Sequence, residues 1–308
     1  MISHIEKINK IKVVSTPRPP VDESKIAAFD MFQRVSCNIA IIGSTTSGKT
    51  TVLLNIIKKA VSKKTNVIVF ASCHNVDETY LEIGEFLEKK KCKVSMFTDI
   101  YEDNEDDHGN VVGKPFNMLN KIRKELEDGM SEDEAPHPPE PLMGKVRFGI
   151  QPEPVRPPPL SQEEKEKLKE KKPKGKQYCE LFMALDDLGD LLRDRSLFKW
   201  LKESRQFKAK TVLLMHSPIN LEPQSISQLQ YILIFDGFSD EAIEVLYQKI
   251  GFKIDFPSFL QAYKFATTIK YDFFYIDRVA NQLRRNFSDL LQFKAPDPIV
   301  IKNATSNG

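Results

Sequence analysis

The chain has 308 residues, 41% hydrophobic and 29% charged, with a formal net charge of +2 at pH 7. This length suits one large α/β domain with a sizeable core, and the near-neutral charge argues against nucleic-acid binding through bulk charge alone. Four cysteines without a CxxC pair argue against a zinc site or a disulfide scaffold, and no apolar run nears the roughly 20 residues that span a bilayer, so we expect an intracellular protein without a membrane segment.

The first part of the chain alternates short apolar strands with amphipathic helices. Residues 1–34 are predicted to form an N-terminal extension with a strand candidate at 10–14, and 35–130 to form the first half of the core. Short branched apolar runs indicate buried strands, and apolar residues at helical spacing indicate helices. The predicted strands of this half are 38–42, 66–72 and 93–97, and its predicted helices are 50–64, 78–91 and about 116–128.

Residues 131–177 differ from the rest because they are rich in proline, lysine and glutamate. Proline favours extended conformations, and the charged stretch has too little apolar area to offset the entropy of ordering. We therefore predict a mostly disordered insertion, which is either a plain solvated linker or carries a PxxP ligand.

The second half of the core is predicted over 178–294, and a polar tail over 295–308. A strand lies within CELFMALDD, which starts at Cys179. Further along the chain, the predicted helices are 193–207 and 240–251, and the predicted strands are 210–217, 231–235 and 271–277, the last of which is taken as the final strand. This alternation predicts an α/β fold with a mostly parallel sheet and helices on both faces.

The stretch GSTTSGKT, residues 43–50, fits the pattern G-x-x-x-x-G-K-[ST] between a predicted strand and a predicted helix. The two glycines let the backbone bend and approach an anion closely, and the helix that follows adds its positive dipole end. A glycine turn beside an ordinary surface lysine is the alternative. The strand and helix context favours a P-loop that binds a nucleoside triphosphate.

Roles within the loop follow from phosphate chemistry. We expect Lys49 to reach the β- and γ-phosphates and Thr50 to place its hydroxyl on Mg²⁺. The sequence has no NKxD-type segment of the kind that reads guanine, which favours ATP over GTP. The predicted nucleotide-binding residues are Gly43, Ser44, Thr45, Thr46, Ser47, Gly48, Lys49, Thr50 and Thr51.

A second motif, LFMALDD, ends an apolar strand with two carboxylates, Asp186 and Asp187. Asp186 is predicted to hold Mg²⁺, and Asp187 to orient and deprotonate the attacking water. Such a pair can also simply cap the turn after a strand. Together with the P-loop, the pair favours hydrolysis of the bound nucleotide.

Four segments together resemble one family. GSTTSGKT, LFMALDD, ESRQFKAKTVLLMHSPINLEPQ and FFYIDRVANQLRRNF are similar to the viral DNA-packaging ATPases of the FtsK/HerA superfamily, in the poxvirus-type branch of large DNA viruses and virophages. The resemblance covers about 35–98 and 179–290. It implies a RecA-like core that forms a homo-oligomeric ring, hydrolyses ATP between subunits and moves double-stranded DNA into a capsid. It also implies a capsid or portal partner, and a location in the cytoplasm or viral factory of an infected cell, or in the virion.

The resemblance assigns roles to two more positions, Arg205 and His216. Arg205 matches an arginine that stabilises the γ-phosphate of a neighbouring subunit, with Arg193 and Arg195 as rival candidates. His216 stands where the family usually has a glutamine sensor, and a neutral imidazole can still bond a phosphate or water. A solvated arginine or an ordinary strand-end histidine is the alternative in each case. The predicted catalytic residues are Lys49, Asp187, Arg205 and His216.

The DNA-contacting face is left open by the sequence, since phosphate binding needs several basic groups on one face. Lysines at a helix C-terminus also suit the helix dipole, which is the simpler interpretation of those after the first helix. The candidates are Lys58, Lys59, Lys63 and Lys64, the run EKEKLKEKKPKGK, and Arg278, Arg284 and Arg285.

Two other functions use the same loop. A nucleotide or polynucleotide kinase consumes ATP only with an acceptor, and an NTP-dependent switch or scaffold binds nucleotide and hydrolyses it slowly. The paired acids and an isolated downstream arginine favour the DNA-translocating motor over both.

Overall fold

The computed structural model describes residues 25–72, 77–102, 115–129, 176–187, 189–217 and 221–293. Three sequence predictions fall outside these residues: the strand at 10–14, the disordered insertion except for its last two positions, and the tail at 295–308. The described residues form an α/β structure built on one large sheet.

The strands are β1 (Cys37–Ile42), β2 (Asn66–Ala71), β3 (Lys93–Phe97), β4 (Tyr101–Glu102), β5 (Phe116–Asn117), β6 (Leu181–Asp186), β7 (Ala209–Met215), β8 (Tyr231–Phe235), β9 (Phe273–Asp277), β10 (Gln282–Arg285) and β11 (Asp289–Leu290). The helices are α1 (Lys49–Ala60), α2 (Glu78–Lys89), α3 (Met118–Asp128), α4 (Arg195–Glu203), α5 (Pro223–Ser227), α6 (Asp240–Ile250) and α7 (Phe256–Ala266), and a 3₁₀ helix spans Gly189–Arg193.

Nine strands form the large sheet, in the order β11-β10-β9-β8-β1-β7-β6-β2-β3. Every neighbouring pair from β3 to β8 is parallel, whereas β9, β10 and β11 continue the sheet in antiparallel pairing. β4 and β5 form a separate two-stranded ribbon. The predicted fold class, a mostly parallel sheet in an α/β protein, is confirmed.

The register brings the carboxyl ends of the central strands to one edge of the sheet. Ile42 at the end of β1 pairs with Met215 at the end of β7, and Asp186 at the end of β6 pairs with Leu214. One strand, β7, therefore lies between the strand that precedes the predicted P-loop and the strand that carries the acids. Two strand spacings separate these elements, or about 10 Å.

Helices cover both faces of the sheet, as predicted. α1 and α2 pack on one face together with Phe32 and Phe287, and α3 to α7 pack on the other face. Phe32 belongs to the segment 25–34, the described part of the N-terminal extension, and it is fully buried. Burial of one such ring contributes about 1.5–3 kcal/mol, so this segment forms part of the core.

All five predicted helices are shorter in the structure, and the largest difference lies at 193–207, where α4 spans only Arg195–Glu203. The helix expected at 50–64 ends at Ala60. The helix expected at 116–128 begins only at Met118, because the two residues before it form β5 and pair with β4. The side chain of Asn117 then caps the helix by accepting a hydrogen bond from the backbone N–H of Asn120.

The prediction that 271–277 forms the final strand is wrong. β10 and β11 follow it and extend the antiparallel edge by two strands. The structure also contains α5 and α7, which the sequence analysis did not predict. The C-terminal part of the fold is therefore richer in structure than the sequence patterns indicated.

Candidate functional site

The stretch GSTTSGKT connects the end of β1 to the start of α1, as the sequence predicts. Two of its residues have a left-handed backbone, Thr46 with φ 64° and Gly48 with φ 101°. Gly48 is the N-cap residue of α1. A side chain at such a φ is strained, so the second glycine of the motif is required by the backbone. The helix that starts here directs its N-terminal amides and its positive dipole end towards the loop.

The first glycine of the motif is required for a different, steric reason. A Cβ atom at Gly43 would lie 2.4 Å from Ser47 Oγ and 3.0 Å from Phe235 Cβ. The loop therefore folds tightly back on the end of β1. Ser47 Oγ is buried, and within the part of the chain that the structure describes it has no hydrogen-bond partner. A buried polar atom without a partner is costly, which fits a loop built to bond a polar ligand.

Lys49 lies within the curve of the loop and is only 7% exposed. Its ammonium donates hydrogen bonds to the carbonyl oxygens of Gly43, at 2.8 Å, and Ser44, at 2.9 Å. Burial lowers the pKa of Lys49, while the charges of Asp186 and Asp187 act in the opposite direction. The lysine and the two acids thus share one electrostatic environment, as expected if they act on the same ligand.

Asp186 ends β6 and is 8% exposed. The hydroxyl of Tyr80, a buried side chain of α2, donates a hydrogen bond to Asp186 Oδ2 at 2.5 Å. Burial raises the pKa of Asp186, and the bond from Tyr80 and the charge of Lys49 oppose this shift. Tyr80 therefore fixes one carboxylate oxygen of Asp186, and the sequence analysis did not single it out.

Asp187 has a different environment, although it is the next residue. Its backbone is left-handed, with φ 51°, and its side chain is 54% exposed. His216, directly after β7, places Nε2 at 3.4 Å from Asp187 Oδ1. A strained backbone at a strand end is typical of functional positions. The two neighbouring acids are thus separated into a buried one and a solvent-facing one beside an imidazole.

These residues line one pocket with a volume of about 790 Å³. The predicted residues in its wall are Thr45, Thr46, Ser47, Gly48, Lys49, Thr50, Thr51, Asp186, Asp187 and His216. The two remaining loop residues, Gly43 and Ser44, contribute the carbonyl groups that bind Lys49. The structure therefore brings the predicted P-loop, both acids and the histidine together.

Four further polar or aromatic residues line the pocket that the sequence analysis did not identify: Asn55, Asp77, Thr79 and Tyr271. Asp77 caps α2, since its side chain accepts hydrogen bonds from the backbone N–H groups of Thr79 and Tyr80. An Asp before an amphipathic helix is a recognisable N-cap signal, so this position could have been found as a cap. No local pattern marks Tyr271 as part of a site formed by β1, β6 and β7.

The residues present fit a magnesium ion that is held jointly with a nucleotide. The hydroxyl of Thr50 and the carboxylate of Asp186 are oxygen donors of the kind that Mg²⁺ prefers, and Mg²⁺ is usually bound by one or two carboxylates plus substrate phosphates. Among the residues that the structure describes, no group of three or more His, Cys, Asp or Glu side chains could hold a metal ion. Thr50 and Asp186 are the residues that would hold a magnesium ion beside bound phosphates.

Arg205 does not belong to this pocket. It is an exposed residue of the turn between α4 and β7. It therefore lies just before the start of β7, whereas His216 lies just after the end of β7. β7 has seven residues and a length of about 20 Å. Arg193 and Arg195, at the end of the 3₁₀ helix and the start of α4, are exposed and do not line the pocket. The four predicted catalytic residues thus divide into three at the site and one at the opposite edge of the sheet.

The three C-terminal arginines proposed as DNA contacts have intramolecular partners. Arg278 donates hydrogen bonds to the backbone carbonyls of Ile226, at 2.7 Å, and Leu229, at 2.8 Å. Arg284 bonds Gln282 at 2.7 Å, and Arg285 forms an ion pair with Asp272 at 2.6 Å.

Two of the candidate lysines of α1 also have partners. Lys58 forms an ion pair with Glu82 at 2.8 Å, and Lys59 forms one with Asp30. Lys63 and Lys64 lie after the helix and are exposed. Lys176, the last residue of the run EKEKLKEKKPKGK, is likewise described and exposed, so these three lysines are the described candidates that a polyanion can reach most directly.

Helices long and apolar enough to cross a bilayer do not occur in the described portions of the chain.

The sequence matches no family model and no curated protein. Among solved structures, the genome packaging NTPase B204 from Sulfolobus turreted icosahedral virus 2, in complex with AMP, aligns with a TM-score of 0.44 and 11% identity, over 82% of this chain and 98% of that chain. The cytoplasmic domain of the Thermomonospora curvata Type VII secretion ATPase EccC aligns with a TM-score of 0.43 and 14% identity, over 91% of this chain and 30% of that chain. Similarity at this level identifies neither the family nor the activity of this chain.

Proposed function

We propose that this chain is a magnesium-dependent P-loop ATPase that works as a homo-oligomeric ring and translocates double-stranded DNA, packaging a viral genome into a capsid. The single observation that carries the ATPase assignment is the convergence of the P-loop, Lys49, Asp186, Asp187 and His216 on one pocket. A phosphate-binding loop alone binds nucleotide, whereas a loop that faces two acids can also hydrolyse it.

The geometry supports a division of labour between the two acids. Asp186 is buried and bonded by Tyr80, which suits a fixed ligand of Mg²⁺. Asp187 is exposed to the pocket and lies beside His216, which suits a group that orients and deprotonates water. Lys49 and the loop amides bind the phosphates, and the Mg²⁺ that Asp186 and Thr50 would hold offsets phosphate charge when bound.

A ring explains the position of Arg205. Because it lies at the opposite edge of the sheet from the pocket, it cannot reach the γ-phosphate in its own subunit. A neighbouring subunit that presents this edge to the pocket would supply the arginine in trans. An arginine in that role contributes roughly 10³- to 10⁵-fold to turnover in nucleotide hydrolases.

The DNA-translocating role rests on the similarity of four sequence segments to viral packaging ATPases. The exposed Lys63, Lys64 and Lys176 are the first candidates for contacts to DNA phosphates among the described residues. If several such contacts form, the affinity for DNA falls steeply as salt rises.

The deciding experiment measures ATP turnover with and without duplex DNA, together with the assembly state of the protein. We expect hydrolysis in the absence of any acceptor, faster hydrolysis with duplex DNA, and an oligomer larger than a dimer. Turnover that requires a phosphate acceptor would identify a kinase instead. Tight nucleotide binding with very slow hydrolysis, unchanged by DNA, would identify a switch or scaffold.

Mixing variants tests the role of Arg205 across a subunit boundary. Arg205→Ala and Lys49→Ala proteins should each be inactive, and a mixture should recover part of the activity, because some interfaces combine an intact pocket with an intact arginine. Arg193→Ala and Arg195→Ala serve as matched controls at the two rival positions. Failure to recover activity at every mixing ratio would contradict a trans role for Arg205.

A further inference from the structure

An exposed tyrosine lies at the edge of the nucleotide pocket, away from the acids. Tyr271 is 58% exposed and lines the same pocket as the P-loop. Its ring lies against the loop, with Cδ1 3.5 Å from the position that a Cβ of Gly48 would take. A large aromatic side chain left in a pocket wall is available for contact with a flat, apolar group.

The antiparallel edge of the sheet explains how Tyr271 reaches the pocket. β9 runs antiparallel to β8, and Phe273 at its start pairs with Phe235 at the end of β8. The beginning of β9 therefore lies at the same edge as the ends of the parallel strands. Tyr271 is two residues before that start, and it meets the loop from the β8 side of β1, whereas the acids meet it from the β7 side.

The segment around Tyr271 is fixed by its neighbours. The carboxylate of Asp272 accepts hydrogen bonds from Arg285 Nε at 2.7 Å and Asn286 Nδ2 at 2.8 Å. The side chain of Asn286 also accepts a hydrogen bond from the backbone N–H of Phe273 at 3.1 Å. Arg285 therefore has a structural role in the fold. Together, these bonds hold the turn that contains Tyr271 in a defined position next to the P-loop.

Tyr271 itself has a left-handed backbone with φ 72°. This conformation is unfavourable for a tyrosine and natural for glycine, so the ring is retained there at a cost to stability. Strained residues cluster at ligand sites, and here the strain coincides with an exposed ring in a pocket wall.

We propose that Tyr271 is the stacking platform for the base of the bound nucleotide. This inference rests on the proposed ATPase function. The nucleotide would run along the sheet edge, with its γ-phosphate at Asp187 and its base at Tyr271. The site from the acids after β6 to the tyrosine before β9 extends over four strand spacings, or about 19 Å, along which the nucleotide would lie. The ammonium of Lys270 lies 4.9 Å from the centroid of the tyrosine ring, so the base takes the opposite face.

Stacking has a consequence for specificity. Every base has a π-face, so a stacking contact tolerates different bases and discriminates mainly against ligands that have none. Tyr271 should therefore favour nucleoside triphosphates over inorganic tripolyphosphate, while it distinguishes ATP from GTP only weakly.

The test compares the affinities of a non-hydrolysable ATP analogue and of inorganic tripolyphosphate, both with Mg²⁺, by calorimetry. Tyr271→Ala should weaken binding of the ATP analogue roughly 5- to 150-fold, the range for loss of one base–aromatic stack, and leave tripolyphosphate binding unchanged. Tyr271→Phe keeps the ring and should bind both ligands as the wild type does.

Tyr271→Gly provides a second, independent readout. It relieves the left-handed strain, so the melting temperature should be kept or raised, while affinity for the ATP analogue falls as in the alanine variant. A ring that served only the fold would give a lower melting temperature and unchanged affinity, which would overturn the proposal.

The possible failures are distinguishable. Wild-type protein that binds the ATP analogue, with Tyr271→Ala binding it equally well, would overturn the stacking role alone. Equal losses for the analogue and for tripolyphosphate would also overturn it, because the ring would then act through the loop. Wild-type protein that binds neither ligand would overturn both the stacking role and the ATPase assignment.

Discussion

The parallel strands and the antiparallel edge of the sheet contribute different parts of the pocket. β1, β6 and β7 place the P-loop, the acids and His216 at their carboxyl ends. The antiparallel edge adds an aromatic ring from the residues before β9. We propose that the first region acts on phosphates and that the second binds a base.

The two regions encode their pocket residues in the sequence in different ways. In parallel strands the functional residues come directly after apolar runs, so motif and strand are contiguous in sequence. On the antiparallel side of the sheet, Tyr271 comes before β9 in the sequence. Only the pairing of β9 with β8 brings it next to the carboxyl ends of the parallel strands. Each of the following changes separates the two contributions, beginning with the largest expected effect.

Lys49→Ala should have the largest overall effect among these changes at the pocket, because it impairs both binding and turnover. Its ammonium is the buried cation of the loop, so ATP turnover should fall on the order of 10³-fold, with weaker binding of ATP and tripolyphosphate alike. Steady-state turnover and calorimetry measure the two effects. Lys59→Ala, on the solvent side of the same helix, is the control and should keep full activity. Unchanged hydrolysis in Lys49→Ala would refute the P-loop assignment.

Asp187→Asn should separate chemistry from binding. Removing a general base lowers turnover roughly 10²- to 10⁴-fold, whereas the phosphates remain bound by the loop. Single-turnover hydrolysis and nucleotide affinity should therefore diverge. Asp289→Asn, an exposed carboxylate of β11, is the matched control. A fully active Asp187→Asn enzyme would remove this residue from catalysis.

Tyr80→Phe removes the hydroxyl that bonds Asp186 and leaves the ring in place. Loss of a group that orients a metal ligand typically costs roughly 10- to 100-fold in metal affinity, so the Mg²⁺ concentration for half-maximal nucleotide binding should rise about tenfold or more. Tyr247→Phe also loses a hydrogen bond, to the carbonyl of Ile254, but far from the acids in sequence and fold. The same Mg²⁺ dependence in both variants would show that the Tyr80 effect is not specific to Asp186.

Asp272→Asn tests the antiparallel edge with the smallest expected effect. It weakens the bonds that hold the Tyr271 turn, so affinity for the ATP analogue should fall about fivefold, equivalent to roughly 1 kcal/mol, with turnover at saturation unchanged. In a Tyr271→Ala background the same change should have no further effect on affinity. An additive loss in the double variant would mean that Asp272 acts independently of the ring.

The meeting of GSTTSGKT and LFMALDD at one pocket could be predicted because the sequence signals are local. GSTTSGKT and LFMALDD each combine an apolar run with the polar residues that follow it, and their meeting at one edge follows from parallel pairing. Helix boundaries are less well predicted, since β5 takes two residues from the expected start of α3 for pairing with β4. Here a tertiary contact overrides helical spacing.

The features that were not predicted fall into two groups. α7 carries a buried apolar stripe at i, i+3, i+4 and i+7, which is the spacing that predicts a helix from the sequence alone. The stripe consists of Phe259, Ala262, Tyr263 and Ala266. Tyr80 and Tyr271, in contrast, have no local signal, because their roles depend on groups that lie far away in sequence.

The two carbonyl groups that bind the Lys49 ammonium have a further consequence for exchange. In the ATPase that we propose, a phosphate that enters the loop has to compete with the carbonyl oxygens of Gly43 and Ser44 for the same proton donors. This competition offsets part of the attraction between the ammonium and the phosphate, so phosphate binding is weaker than the charge of the lysine alone would give. When the product departs, the ammonium regains the same two acceptors, so its release leaves no buried cation unsolvated. The lysine would thereby bind the incoming anion and also assist its release.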